Sequence, residues 1–329
     1  MKTTKLSRRE VLAAAGGLGL AATLPSAWAQ AYPGKKPIRI VVPYAAGGSL
    51  DAMSRDVAVR LQAKLGQTVI IENKPGASTM LGTQQVARAE ADGYTLLIAS
   101  SSFVSSTIFY RKPLHKVSEF APITQFANDN HMLVVNPERL PVKTLQEFVA
   151  YAKANPGKIN YGTAGTGTSP HLEGEEFAQL AGIKLMHVPF NGSAPGVTAL
   201  VGGQIDAMFD AYTSSGPHVR TGRLRTIAVL GKNRLAELPD VPTIAESGYP
   251  SYVRGAWDGL LAPAGTPADV VQRLHAAMMD LIKDPELLAN WAKRGLEPVG
   301  SSPAEFAAFL QEQTAINEKL SKTLGLQLE

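Results

Sequence analysis

Short β-branched runs alternate with helical stretches along most of the chain, and that alternation constrains the fold more than any other feature. The run Ile38-Arg39-Ile40-Val41-Val42 stops at Pro43, as a buried parallel strand does. A helix follows over 51–65, with Met53, Val57, Leu61 and Leu65 on one face and Gly66 as its stop. A strand over 68–71, a helix over 82–91 and a strand over 94–99 complete the unit. The order β-α-β-α-β predicts parallel strands, right-handed crossovers and helices on both faces of a sheet.

The pattern then restarts. Strands are predicted at 132–135, 159–162, 185–188, 205–209 and 224–229, and helices at 145–154, 170–181, 194–202 and 217–221. Asn155-Pro156-Gly157 stops the first of these helices. Residues 253–261 read as an extended segment, followed by helices at 268–283, 285–294 and 303–320. The expected fold class is α/β, with two doubly wound lobes joined by a hinge. Lobe 1 is expected at 31–128 and lobe 2 at 129–252. The segment 253–329 is expected to return to lobe 1, since it would otherwise lack a sheet, and two chain crossings make a hinge.

The first 29 residues read as an export signal. Lys2, Lys5, Arg8 and Arg9 form a basic head, residues 11–24 a weakly apolar run, and Ala27-Trp28-Ala29 a cleavage pattern after Ala29. Ser7-Arg8-Arg9-Glu10-Val11-Leu12 resembles a twin-arginine signal. The apolar run is shorter than the roughly 20 residues a membrane span needs. The chain is expected in the periplasm. It has a formal net charge of +4, but the leader holds four basic side chains and one acidic, so the remainder carries +1. No basic block suggests nucleic acid. The absence of Cys excludes disulfides, thiolate metal sites and cysteine nucleophiles.

The informative chemistry lies in two glycine-rich strand-to-helix turns. The first is Pro43-Tyr44-Ala45-Ala46-Gly47-Gly48-Ser49-Leu50-Asp51; the second runs from Tyr161 to Leu172 through Thr163, Ala164, Thr166, Gly167, Thr168 and Ser169. Ser49 and Ser169 are the expected helix caps, Asp51 suits a first turn, and Pro170 suits the first helical position. Free N–H groups and a helix dipole bind anions without a cationic side chain, and in open α/β sheets ligands sit beyond the carboxyl ends of strands. Facing lobes would bring the two loops together across one cleft. A hydrogen bond to a charged group contributes about 1.5–3 kcal/mol. About four to six of them gross roughly 6–18 kcal/mol, a range whose upper part covers both ordering costs of several kcal/mol and the roughly 8 kcal/mol of micromolar affinity. Turns of this kind also serve only to reverse a chain. The spacing Gly162 to Ser169 approaches a phosphate loop, but Thr168 stands where its Lys belongs.

At these residues the chain resembles the Bug family, the periplasmic receptors of tripartite tricarboxylate transporters. The resemblance spans almost all of the chain after the leader. It is carried by Tyr32-Pro33, Pro37-Ile38-Arg39, Pro43 to Asp51 with Arg55, Asn73 to Ala77, Ala91 to Leu97 and Tyr161 to Leu172. It continues in His187 to Phe190, Gly202 to Asp206, Met208-Phe209-Asp210, Gly222 to Arg225, Pro239 to Thr243 and Ala262 to Pro267. It implies a type II periplasmic-binding fold, a small carboxylate (aromatic or dicarboxylic acids included) as solute, and a membrane permease of the tripartite tricarboxylate type as partner. No cofactor, metal, catalytic residue or nucleic acid is implied, and a monomer is expected. The implied ligand residues are Tyr44, Ala46, Gly47, Ser49, Asp51, Thr163, Ala164, Thr166, Gly167, Thr168 and Ser169, with Phe190 and Asp210 lining the cleft from lobe 2.

The chain departs from the family at Ser100 to Ser106, which lacks a His-Ala-x-Asn pattern. Phe103 is expected there as an apolar wall of the ligand site. Ala45-Ala46 and Ser54 are further departures. Two other functions use the same features. A sensor feeding a signalling system needs the same closure as a transport receptor. An exported hydrolase would draw on His115, His131, His171, His187 or His218 as base, but no Gly-x-Ser-x-Gly elbow is present. His171 reads as a capping or packing residue and His187 as core.

Overall fold

The structure is a computed structural model in which residues 32–34 and 36–329 are described. The export signal, its twin-arginine pattern and the cleavage site fall on residues 1–31, outside the described residues. The chain divides into two compact units, Met1–Gly34 and Lys35–Glu329, and every helix and strand described belongs to the second.

That unit is built on two mixed sheets. The first holds β1 (Ile38–Val42), β2 (Val69–Asn73), β3 (Thr95–Ser100), β4 (Phe120–Asp129), β10 (Ala256–Pro263) and β11 (Leu296–Pro298), in the order β11-β4-β10-β3-β1-β2. The second holds β5 (His131–Val135), β6 (Asn160–Thr163), β7 (Met186–Pro189), β8 (Ala207–Ala211) and β9 (Arg225–Val229), in the order β7-β6-β8-β5-β9. β1 pairs in parallel with β2 and β3, and β6 with β7 and β8. These are the strands joined by helical crossovers.

Beside these parallel strands, β4, β10, β11, β5 and β9 pair antiparallel. The ten-residue β4 was not legible as a strand, because Phe120–Asp129 contains Pro122 and few β-branched residues. Pro122 sits opposite Leu261, where the register of the β4–β10 ladder shifts; a bulge tolerates a residue that cannot donate.

The chain leaves the first sheet at Asp129 and enters the second at His131, with Asn130 alone between them. It crosses back over residues 230–255. All eight residues of β10 are buried between β3 and β4. A Cβ at Gly259 would lie 2.2 Å from the Phe306 ring, so glycine there lets the C-terminal helix press onto the strand.

Ten α-helices are described: α1 (Ser49–Leu65), α2 (Met80–Ala87), α3 (Ser102–Phe109), α4 (Leu145–Ala154), α5 (Ser169–Ala181), α6 (Ser193–Val201), α7 (Tyr212–Arg220), α8 (Ala268–Leu281), α9 (Pro285–Ala292) and α10 (Pro303–Leu324). In α1, Met53, Val57, Leu61 and Leu65 are buried as the spacing requires. Gly66 closes the helix in the left-handed region at φ 65°. Helix α3 was not predicted, because serine and β-branched residues are weak helix formers. Packing overrides that preference, since Phe103, Val104 and Phe109 are all buried. Among the described residues, no helix is long and apolar enough to cross a membrane.

Candidate functional site

Five helix N-termini converge on one cavity. Its lining includes Ser49, Leu50 and Asp51 at the start of α1, Ser102 of α3, Ser169 and Pro170 of α5, Ser193 of α6, and Ala211 just before α7. The cavity holds about 500 Å³ with its mouth. The first intrahelical bond of α1 runs from Ala52 N–H to Gly48 O, so the N–H groups of Ser49, Leu50 and Asp51 precede the ladder. Aligned helix ends place partial positive charge at one point.

The other walls come from strand ends. Successive residues of an extended chain alternate faces. Asp129 and His131, two apart at the crossing between sheets, therefore both border the cavity, as do Ala256 and Asp258 on β10. Asp258 pairs across the ladder with Ser100, and Ala256 with Asp129. The Tyr44 hydroxyl lies 3.0 Å from Ser100 Oγ and donates to Ser102 Oγ at 2.8 Å. Burial pushes the Tyr44 phenol up to about 12.

The sequence-predicted residues take distinct places. Tyr44, Ser49, Asp51, Ala164 and Ser169 line the cavity. Ser49 is not the α1 cap: Gly48 occupies that position, and Ser49 Oγ donates to Asp129 Oδ2 at 2.5 Å. Asp51 accepts from the Gly47 N–H, from two Arg55 nitrogens and from Asn73. Burial alone would raise its pKa, but those donors outweigh burial and hold it below the usual carboxylate range. Gly47 and Ala46 are exposed, and the Gly47 N–H is already committed to Asp51.

The second loop is largely braced from behind. Thr168, not Ser169, is the α5 cap position, and its Oγ1 donates to Gly165 O at 2.6 Å. Ser169 N–H donates to Ser102 Oγ at 3.2 Å. Gly167, at φ 73°, donates its N–H to His171 Nδ1 at 3.0 Å and accepts from Ser105 at its carbonyl. Thr163 Oγ1 lies 2.7 Å from His187 Nε2. The His171 and His187 rings stack at 4.0 Å, and burial lowers their pKa values to about 4 and about 3. Both are neutral buttresses of the loop.

Three expected residues lie outside the lining of the first cavity. Phe103 is 2% exposed and packs between His115 and Phe120 in the core of the first sheet, because α3 turns it away from the cleft. Phe190 lines a second cavity with Thr166 and Asn191, one that shares Tyr44 and Ala164 with the first. Asp210 is fully buried behind Ala211 and accepts from Ser215; burial raises its pKa, and hydroxyls of Ser193 and Ser215 offset part of that. The two loops border one cavity, as expected of facing lobes; beside it Ala45 N–H donates to Asn191 O at 3.0 Å, and Tyr110 OH from the first lobe donates to Thr166 O at 2.9 Å.

Asp129, His131, Glu173, Ser193 and Asp258 were not singled out as site residues. His131 Nδ1 lies 2.8 Å from Glu173 Oε2. Burial would lower the imidazole pKa, but the Glu173 carboxylate beside it prevails and lifts it to about 9. Burial raises Asp129 to about 6, against the pull of His131 and Ser49. Burial and the neighbouring Asp129 raise Asp258 well above the usual range. The available signal was polar residues at strand ends, Asp129 and His131 two apart and Asp258 near the start of β10, visible only once β4 and β10 are known. No group of three or more His, Asp or Glu among the described residues is arranged to hold a metal.

The family model of the tripartite tricarboxylate transporter family receptor matches residues 53–326. A protein of Pseudomonas sp. strain P51, from the tcbD-tcbE intergenic region, is 36% identical over 96% of this chain and 94% of its own length. Protein BugT of Bordetella pertussis is 33% identical over 87% of this chain and 88% of its own. Among solved structures, a periplasmic transporter is 40% identical with a TM-score of 0.88, covering 91% of this chain and 100% of its own. R. palustris Rpa4515 with adipate is 30% identical with a TM-score of 0.86 (90% and 99% covered), and MatC from Rhodopseudomonas palustris with bound malate is 29% identical with a TM-score of 0.83 (88% and 99%). With its two α/β sheets flanking one cavity at their strand ends, the chain has a two-lobed periplasmic-binding fold and belongs to the Bug-type receptors of the tripartite tricarboxylate transporter family.

Proposed function

We propose that this protein captures a small carboxylate in the cavity between its two sheets and presents it to a membrane permease of the tripartite tricarboxylate type. The observation that carries this reading is the convergence of five helix N-termini on one cavity. The N–H groups of Ser49, Leu50 and Asp51 at α1, with the hydroxyls of Ser102 and Ser169 opposite, make the carboxylate end of the site. Asp51 does not repel the guest, because Arg55 neutralises it. Relatives of the same fold hold adipate and malate, which are dicarboxylates of the size this cavity admits. The protein acts as a receptor without turnover, in the periplasm. The lobes close about the two crossings at Asn130 and 230–255.

Calorimetry and thermal shift against mono-, di- and tricarboxylates and aromatic acids test the reading. At least one small carboxylate is expected to bind at micromolar affinity or better, about 8 kcal/mol. Binding of none would reject it, and conversion of any of them would make the protein an enzyme.

A further inference from the structure

The wall of the cavity away from α1 is acidic. No Lys or Arg lines the cavity. Asp258 is 2% exposed and borders the cavity, and its Oδ2 accepts no hydrogen bond. Asp129, 4% exposed, lies on the adjacent strand and accepts from Ser49. Asp210 is buried behind them. One cation faces these carboxyl groups, His131, and its Nδ1 is already engaged by Glu173. A buried acceptor with no donor costs stability, and here the residue that carries the unpaired oxygen borders the cavity. An ammonium group supplies what that wall lacks, three N–H donors and a positive charge.

We propose that the solute is a zwitterion, with its carboxylate at the N-terminus of α1 and a protonated amine against Asp258 and Asp129. This rests on the carboxylate reading above and adds the chemistry of the other end. A second carboxylate in that position would face like charge from Asp129, with His131 already engaged by Glu173. An ammonium group favours ionised Asp258 instead. Burial and the neighbouring Asp129 push the Asp258 pKa up, and an ammonium group beside it pulls that pKa down again, so amine binding is expected to be coupled to proton release.

The experiment is calorimetry with matched ligands that differ only at the far end. The sets are β-alanine, malonate and propionate; γ-aminobutyrate, succinate and butyrate; and ε-aminohexanoate, adipate and hexanoate. In the best-binding set the amino acid is expected to bind at least about tenfold tighter than both partners. Its measured heat is expected to vary with the ionisation enthalpy of the buffer, reporting proton release. Asp258→Asn is expected to bring the amino acid-to-dicarboxylate ratio to about one while monocarboxylate binding persists. A dicarboxylate or monocarboxylate that binds as tightly as its amino acid in every set overturns the zwitterion and leaves the carboxylate reading standing. If no compound in any set binds, the carboxylate reading falls with it. An unchanged ratio in a folded Asp258→Asn protein removes Asp258 from the assignment. Should that variant not fold, the wild-type ratio and buffer dependence decide.

Discussion

His131 and Gly167 show how much single positions carry. The His131 imidazole has a pKa of about 9 in the folded chain, against 6.5 for an unperturbed group. The folded state therefore holds the proton more tightly, and the stabilisation is complete below 6.5 and lost as pH rises through 9. Unfolding free energy is expected to fall by a few kcal/mol between about pH 7 and pH 9, as read by urea denaturation. Glu173→Gln should flatten that slope, since the carboxylate raising the pKa is gone while Tyr252 still donates to the residue's backbone carbonyl. An equally steep slope in the variant would reject the assignment. At Gly167, φ is 73° and a Cβ would lie 2.7 Å from both Leu328 and Tyr110. Gly167→Ala should cost about 1–3 kcal/mol by denaturant midpoint, even though the N–H survives. Gly167→Pro is therefore no clean test of ligand binding, because the loop itself fails first.

At the scale of elements, the α1 N-terminus is the piece whose role separates most cleanly. Gly48 is extended at φ −85° and ψ −179°, which the residue before a proline accepts. Ser49→Pro thus keeps the helix, since proline suits the first helical position, but it removes one N–H and one hydroxyl from the cavity. Ser49→Ala removes the hydroxyl alone. The proline variant is expected to bind carboxylate about tenfold more weakly than the alanine variant, or about 1.5 kcal/mol; equal affinities would show that this N–H is not used. The parallel strands of both lobes were legible as short β-branched runs, and the amphipathic helices because their burial repeats with the helical period. β4, α3 and β11 were not. Their residues follow no such period, and Pro122 and the serines of α3 are held by neighbours distant in sequence.

At the scale of the whole molecule, contacts cross directly between the parts flanking the cavity. Ser105 donates to Gly167 O, Tyr110 donates to Thr166 O, and the C-terminal Leu328 packs against both chain segments. Solute is expected to favour the arrangement that holds these contacts. Small-angle scattering should show a smaller radius of gyration with solute than without. Tyr110→Phe removes the bond to Thr166 and should weaken affinity severalfold, mainly through faster release. An unchanged dissociation rate would mean that this contact plays no part in closure.

By itself the sequence determined the alternating architecture, the two glycine-rich turns and the family. All of these are written in local periodicity and contiguous motifs. Only the tertiary structure decided which groups line the cavity. Asp129, His131 and Asp258 reach the cavity because a strand ends at a lobe crossing and another returns from far along the chain. Phe103 leaves it because α3 packs inward. The N–H groups of Gly47 and Gly167, free by local reasoning, are consumed by Asp51 and His171. Whether a polar group is available depends on its partners, and those lie a helical turn or a whole lobe away.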